Sequence, residues 1–293
     1  MVRKTTVIHR IVAVFFGLLS LLISSQAEKA RADFLSFGSS PGQPQVLSQG
    51  DVGDCACGPC SIFNAFQFGG APLTNLVAML PGATQADKVR FLIATYGGKP
   101  SIVYRDEPRY LSNAGMWEDD LVPFINDWLK QSGAAPVAGE PLSQQRNETS
   151  HAHLRRVYSE LSRSLAAGFP PIVNLQSYME TGTFFHRWRW LDGHFVTVVG
   201  VQGELEPDAS KFCMWVADSQ TGRILQVFIY ADRHSSSTSL AGDPMERSGK
   251  MPLPQPQSSP YLTIESPKLE GILEGSAARS PRTICVIDYI VHR

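Results

Sequence analysis

Neither sign of charge predominates in this chain. Its 26 Lys and Arg face 27 Asp and Glu, a net charge of −1. Proteins that grip nucleic acid carry a basic excess, so no nucleic-acid partner is expected. Cysteine is scarce: of five, three fall between residues 55 and 60, which leaves too few elsewhere for a disulfide framework. No fixed-period repeat is present, which excludes a solenoid. Gly 24 and Pro 20 fall short of a collagen-like or low-complexity composition. Disorder is excluded in turn by a hydrophobic content of 43% and an aromatic content of 10%.

The only extended apolar run lies near the start. Ile11 to Ser24 follows the basic residues Arg3, Lys4 and Arg10. It is shorter than the roughly 20 residues of a membrane span and reads as the core of a signal peptide over residues 1–27. Ser25-Gln26-Ala27 offers small residues for cleavage, and Ala30-Arg31-Ala32 is a second possible site. An uncleaved anchor is the competing reading. Cleavage would remove three positive charges and no acid. The expectation is an exported chain, periplasmic or extracellular, with no stable membrane span after cleavage. Free thiols tend to oxidise there, so a reactive cysteine needs a reason.

Residues 28–47, rich in Ser, Gly, Pro and Gln, read as an extended lead-in to one domain over 48–293. Helical patterns are expected over 57–68, 84–96, 118–132 and 150–167. Strand patterns follow at Pro171 to Gln176, Phe195 to Val201, Phe212 to Ala217, Arg223 to Tyr230 and Thr283 to Val291. Helices first and strands second predict an α+β fold. Residues 233–268 are Ser/Pro-rich with little periodicity and read as a flexible insertion.

Chemistry gathers in Gln49-Gly-Asp-Val-Gly-Asp-Cys55-Ala-Cys57-Gly-Pro-Cys60. If a helix starts at Cys57, its sulfur meets the unsatisfied N–H groups and the positive end of the helix dipole, which favour thiolate over thiol. A thiolate is the nucleophile of cysteine catalysis. The amide of Gln49 can then face an acyl oxygen that develops charge. The same residues allow other readings. Cys57-Gly-Pro-Cys60 has the spacing of a thiol–disulfide redox motif, although no apolar strand precedes it. Cys55, Cys57 and Cys60 have the spacing of a metal site that lacks a nearby fourth ligand. Small buried cysteines are the plain structural reading, and Cys60 suits it well. Cys213 and Cys285, both on expected strands, either pair with each other or sit in the core.

A Gln, a short spacer and Cys-Gly-Pro before a helix resemble the papain-like cysteine peptidase superfamily, specifically the C39-like bacterial cysteine peptidases. Downstream, Gly193-His194-Phe195-Val-Thr-Val-Val-Gly200 is similar to the strand that carries the family's histidine. Val216-Ala217-Asp218-Ser-Gln-Thr-Gly222 is similar to the strand end that carries the orienting acid. The likeness covers about residues 45–70 and 168–225. It implies a papain-like fold, with an N-terminal helical part packed on a C-terminal antiparallel sheet. It also implies a hydrolase, a peptidase acting on a peptide or protein substrate. Cys57 would be the nucleophile, His194 its base, Asp218 the orienting acid and Gln49 an oxyanion donor. No metal or cofactor is required. Gln49 stands six residues before Cys55 and eight before Cys57. The family spacing is nearer six and favours Cys55 as nucleophile, whereas the Gly-Pro and the helix after it favour Cys57. A non-catalytic peptide-binding domain on the same fold is a further alternative.

Other residues carry plainer readings. His151 and His153 are expected to be solvent-exposed at a helix start. His186 lies in the aromatic-basic stretch 184–190, either a hairpin with cross-strand packing or a rim of the substrate cleft. Trp117-Glu-Asp-Asp120 reads as a helix start with acids at the positive dipole end.

Overall fold

The computed structural model describes residues 44–180, 187–231, 239–241, 262–265 and 283–293. The expected leader, most of the lead-in and His186 lie outside the described residues. None of the described helices is long and apolar enough to cross a membrane.

The helical part comes first. Helix α1, Cys57–Gln67, is buried on every side from Gly58 onward, as expected of a helix apolar around most of its circumference. It is followed by α2 (Ala71–Met79), α3 (Gln85–Leu92) with a wider terminal turn at Ile93–Gly97, and α4 (Glu118–Leu129). A two-stranded ribbon, β1 (Tyr110–Leu111) and β2 (Gly115–Met116), precedes α4. The core here is aromatic. Phe66 of α1 stacks on Trp128 of α4 with ring centroids 3.9 Å apart, and Phe169 meets Phe66 edge-on. Such a pair is worth about 0.5–1.5 kcal/mol beyond the area it buries. Asp127 of α4 clamps the preceding loop by accepting from Arg109 at 2.8 Å and Lys99 at 3.0 Å.

The sheet follows: β3 (Ala138–Pro141), then helix α5 (Ser150–Ala166), then β4 (Ile172–Glu180), β5 (Arg187–Val201), β6 (Lys211–Asp218), β7 (Arg223–Tyr230), β8 (Ser239–Ala241), β9 (Leu262–Glu265) and β10 (Thr283–His292). The order β10-β4-β5-β6-β7-β9 returns to β10, so six antiparallel strands close into a barrel. Closure removes sheet edges. One edge of β10 runs along β4. Its other edge carries β9 at the beginning and β3 at the end, and the β4 register shifts between Ile287 and Tyr289. The barrel interior is aliphatic, with Val173, Leu175, Val196, Val198, Met214 and Ile287 among its residues. The stripe Leu154, Val157, Leu161 and Leu165 of α5 joins that cluster.

The α+β expectation holds at this level: helices lead and antiparallel strands follow. Several details differ. Helix α2 is additional, because Leu73 and Leu76 alone are buried on it and its apolar signal is thin. The stretch 233–268 was expected to be loop, yet it contains β8 and β9. Leu262 and Ile264 point into the barrel and close it, an alternation too short to stand out among the surrounding Ser and Pro. His153 is buried rather than exposed, with its imidazole against the Leu142 carbonyl on the core side of α5. Cys213 and Cys285 are unbridged; their register partners are Phe228 and, for Cys285, Ser177 and Ile264.

Candidate active site

Helix α1 begins at Cys57, so the sulfur sits at the first helical residue, half-buried, at the end rich in unsatisfied N–H groups. The helix start lies against β5 and β2. A Cβ on Gly58 would stand 3.3 Å from Cβ of Met116 and 3.6 Å from the Phe195 ring. Two buried hydrogen bonds fix α1 to β5: Ser61 Oγ donates to the Phe195 carbonyl at 2.7 Å, and Thr197 Oγ1 donates to the Ser61 carbonyl at 2.8 Å. Cys57 is thereby held beside the residue that precedes Phe195, which is His194.

His194 is 4% exposed and Asp218 fully enclosed. Nε2 of His194 stands 2.7 Å from Oδ1 of Asp218. The Cys57 sulfur is the second side-chain partner of the same imidazole, and its influence favours the charged ring. Burial opposes a charge on His194, but the bonds to Asp218 and Cys57 outweigh it and raise its pKa to about 10. Burial likewise opposes the Asp218 charge, yet the bonds from His194 and Thr221 hold this carboxyl below its ordinary range.

The turn after β6 explains the Asp-Ser-Gln-Thr-Gly sequence. Asp218 Oδ1 accepts from the Gln220 N–H at 3.0 Å, and Oδ2 accepts from Thr221 Oγ1 at 2.8 Å. Gly222, at φ 65°, returns the chain to β7 and donates its N–H to the Asp218 carbonyl. Positive φ at this point favours glycine. The turn also anchors Gln49, whose N–H donates to the Ser219 carbonyl at 2.7 Å. Gln49 Oε1 accepts from Ser219 Oγ at 3.4 Å, and Nε2 donates to the Asp54 carbonyl at 3.2 Å. An amide nitrogen carries two hydrogens, so one remains for a ligand.

Cys57, His194 and Asp218 are therefore brought together, His194 bonded to Asp218 and acted on by Cys57, with Gln49 tied to the acid's turn. Cys55 lies in the turn before α1, half-buried, where its charge acts on Tyr110. It is Cys57 that meets the imidazole. Cys60 is fully enclosed, and its pKa is raised by burial and then by the Cys57 charge. Among the described residues, the only Cys, His, Asp and Glu group within mutual metal-ligating reach is Glu140, Glu160 and His292; the cysteine cluster does not converge in this way. Trp117 precedes α4 and Glu118 opens it, as the acidic run implied. The side chains of 184–190 lie outside those described.

The sequence reading missed a supporting set on the polar side of α1. Besides Ser61, Asn64 Oδ1 accepts from the Leu47 N–H at 3.1 Å, and Gln67 Nε2 donates to the Gln45 carbonyl at 3.0 Å. Together they hold the strand-like segment that delivers Gln49. Their signal was present: Ser61, Asn64 and Gln67 recur at helical spacing in an otherwise apolar helix, and buried polar groups are partnered. Comparison with protein-family models, curated proteins and solved structures gave no match to this chain.

Proposed function

We propose that this protein is an exported, papain-like cysteine hydrolase of the C39-like kind that cleaves amide bonds in a peptide or protein. The observation that carries the reading is the buried His194, bonded to the Asp218 carboxylate through Nε2 at 2.7 Å, with the Cys57 sulfur acting on the same imidazole. A helical part that supplies the sulfur and an antiparallel barrel that supplies the imidazole agree with the resemblance in residues 45–70 and 168–225.

The chemistry follows from the groups. A Cys57 thiolate attacks the substrate carbonyl carbon and forms a C–S bond, while the carbonyl π electrons move to oxygen. Gln49 Nε2 and the N–H groups that open α1 face that oxyanion. As the intermediate collapses, the C–N bond breaks and imidazolium His194 gives its proton to the departing amine. Neutral His194 then takes a proton from water, whose hydroxide displaces the sulfur, returning thiolate, imidazolium and a new carboxyl group. Asp218 holds the ring orientation and offsets its charge throughout.

A redox role for Cys57 and Cys60 fits poorly with the full enclosure of Cys60, whose thiol is pushed away from ionisation. The direct test is cleavage of a defined peptide pool in heavy-oxygen water. Hydrolysis puts water oxygen into new C-termini, and the signal should vanish in Cys57→Ala and persist in Cys60→Ala. Labelled C-termini that survive Cys57→Ala, or none from the wild-type chain, would contradict the reading.

A further inference from the structure

At the end of β10, where its second edge carries β3, three side chains with ligand atoms converge. His292 lies opposite Ala138, and Glu140, two residues further along β3, shares its face of the sheet. Glu160 comes from α5, one turn before Ser164, whose Oγ accepts from the Arg293 N–H at 3.2 Å. That bond draws the end of α5 onto the end of the strand. Nε2 of His292 stands 3.5 Å from Oε1 of Glu140, and its Nδ1 stands 3.7 Å from Oε2 of Glu160. One ligand atom from each of the three residues lies within 4.8 Å of the others.

These spacings exceed those of hydrogen bonds, whose N–O distances centre on about 2.9 Å. They suit atoms that share an ion: two ligands held about 2.05 Å from a tetrahedral Zn²⁺ are about 3.3 Å apart. The imidazole is the decisive member. His292 is 9% exposed, and its Nδ1 is sealed without a hydrogen-bond partner on the side of Glu160. Buried polar atoms are partnered as a rule, so an orphan ring nitrogen between carboxylates calls for a bound group. The polar groups around the ring are Glu140, Glu160, Arg163 and the Arg293 backbone. The cluster is open to solvent at one side, because the Glu140 side chain is 42% exposed, against 15% for Glu160 and 11% for His292. An ion reaches Glu140 from water, and side-chain torsions suffice to bring the other ligands onto it. Arg163 is the competitor: it hydrogen-bonds Glu160, and its own exposed side chain can yield to solvent.

We infer that Glu140, Glu160 and His292 form a binding site for a divalent transition metal of the Zn²⁺ type, which staples α5 to the edge made by β3 and β10. Two carboxylates offset the charge of the ion, and the imidazole selects Zn²⁺ over Mg²⁺, which prefers oxygen ligands in an octahedron. Three protein ligands leave one tetrahedral position for water. Among the described strands β3 pairs with β10 alone and is four residues long, so a bond from Glu140 through the metal to α5 would secure it. None of these three elements carries Gln49, Cys57, His194 or Asp218, and the site stands whether or not the chain is a hydrolase.

The test uses the full, untagged chain carrying Cys55→Ala and Cys57→Ala, so that thiols at the start of α1 do not take up metal. Zn²⁺ and Mg²⁺ are titrated separately by calorimetry, and the melting temperature is followed with each. Zn²⁺ should bind at one ion per chain, at least about 100-fold tighter than Mg²⁺. It should raise the melting temperature by about 5 °C at a hundredfold excess over its Kd. His292→Ala should weaken Zn²⁺ binding by at least about 100-fold and Glu140→Gln by at least about tenfold. Glu140→Gln changes one atom at a partly exposed strand edge, so the metal-free chain should melt within about 2 °C of its parent. Arg163→Gln, which releases Glu160, should tighten Zn²⁺ severalfold. No Zn²⁺ binding, equal binding of Mg²⁺, or Zn²⁺ binding that survives both His292→Ala and Glu140→Gln overturns the site. If the three groups are only an ion-pair cluster, Zn²⁺ leaves the melting temperature of the parent chain unchanged.

Discussion

The helical part and the barrel build their halves of the site by different means. The barrel sets His194 and Asp218 on neighbouring antiparallel strands whose register is fixed by backbone ladders, and closes the acid's turn with Thr221 and Gly222. The helical part offers one atom, the Cys57 sulfur, and places it by the start of a single helix. The first half is positioned by topology, the second by how α1 seats on β5. Precision at the sulfur therefore depends on a few seam contacts, chiefly Ser61 with Phe195 and Thr197.

The largest effects should fall on the three residues in line. Cys57→Ala should abolish hydrolysis, a loss of at least about 10³-fold, with the fold intact by circular dichroism. Asp218→Asn, which keeps the shape but not the charge, should lower hydrolysis by about 10²–10⁴-fold and shift the alkylation–pH profile of Cys57. Breaking the seam comes next. Ser61→Ala leaves the Phe195 carbonyl unpartnered, so a stability loss of about 1–3 kcal/mol is expected by chemical denaturation. A displaced sulfur should also lower turnover by about 10²-fold. If Ser61→Ala lost stability but kept full turnover, the seam would not be what positions Cys57.

Smaller effects separate the two regions. Asp127→Asn should destabilise the helical part by about 1–3 kcal/mol without altering Cys57 reactivity. Its carboxyl is half-buried, which opposes the charge, yet the bonds from Lys130, Arg109 and Lys99 hold it well below its ordinary range. Its stabilising share is present above about pH 4 and lost as pH falls. His194 has the opposite sign. Its pKa is raised from 6.5 to about 10, so its share is complete below pH 6.5 and lost as pH rises through about 10. Melting temperatures of the wild-type, Asp127→Asn and His194→Ala chains across pH should show the acid limb flattened by one substitution and the alkaline limb by the other. Cys60→Ala should cost about 1 kcal/mol of stability and no hydrolysis.

The two regions also differed in how much the sequence revealed. Helix α1 was legible because Pro59, Ile62, Phe63 and Phe66 follow helical spacing and Gly69-Gly70 ends it. The strands bearing His194 and Asp218 were legible as apolar runs. Barrel closure was not, because it depends on β9, four residues within a polar stretch that give a strand signal only once β7 and β10 flank them. The choice between Cys55 and Cys57 could not be made by counting, since a two-residue shift is decided by where the first helical turn forms.

The central claim is that His194 activates Cys57, and the rate of Cys57 alkylation by iodoacetamide across pH, mapped by mass spectrometry, tests it most directly. The account predicts fast, selective labelling of Cys57 below pH 7 that collapses in His194→Ala, with Cys60 unlabelled in the folded chain. Labelling of Cys57 that rises only at alkaline pH and ignores His194, or faster labelling of Cys55, would contradict it.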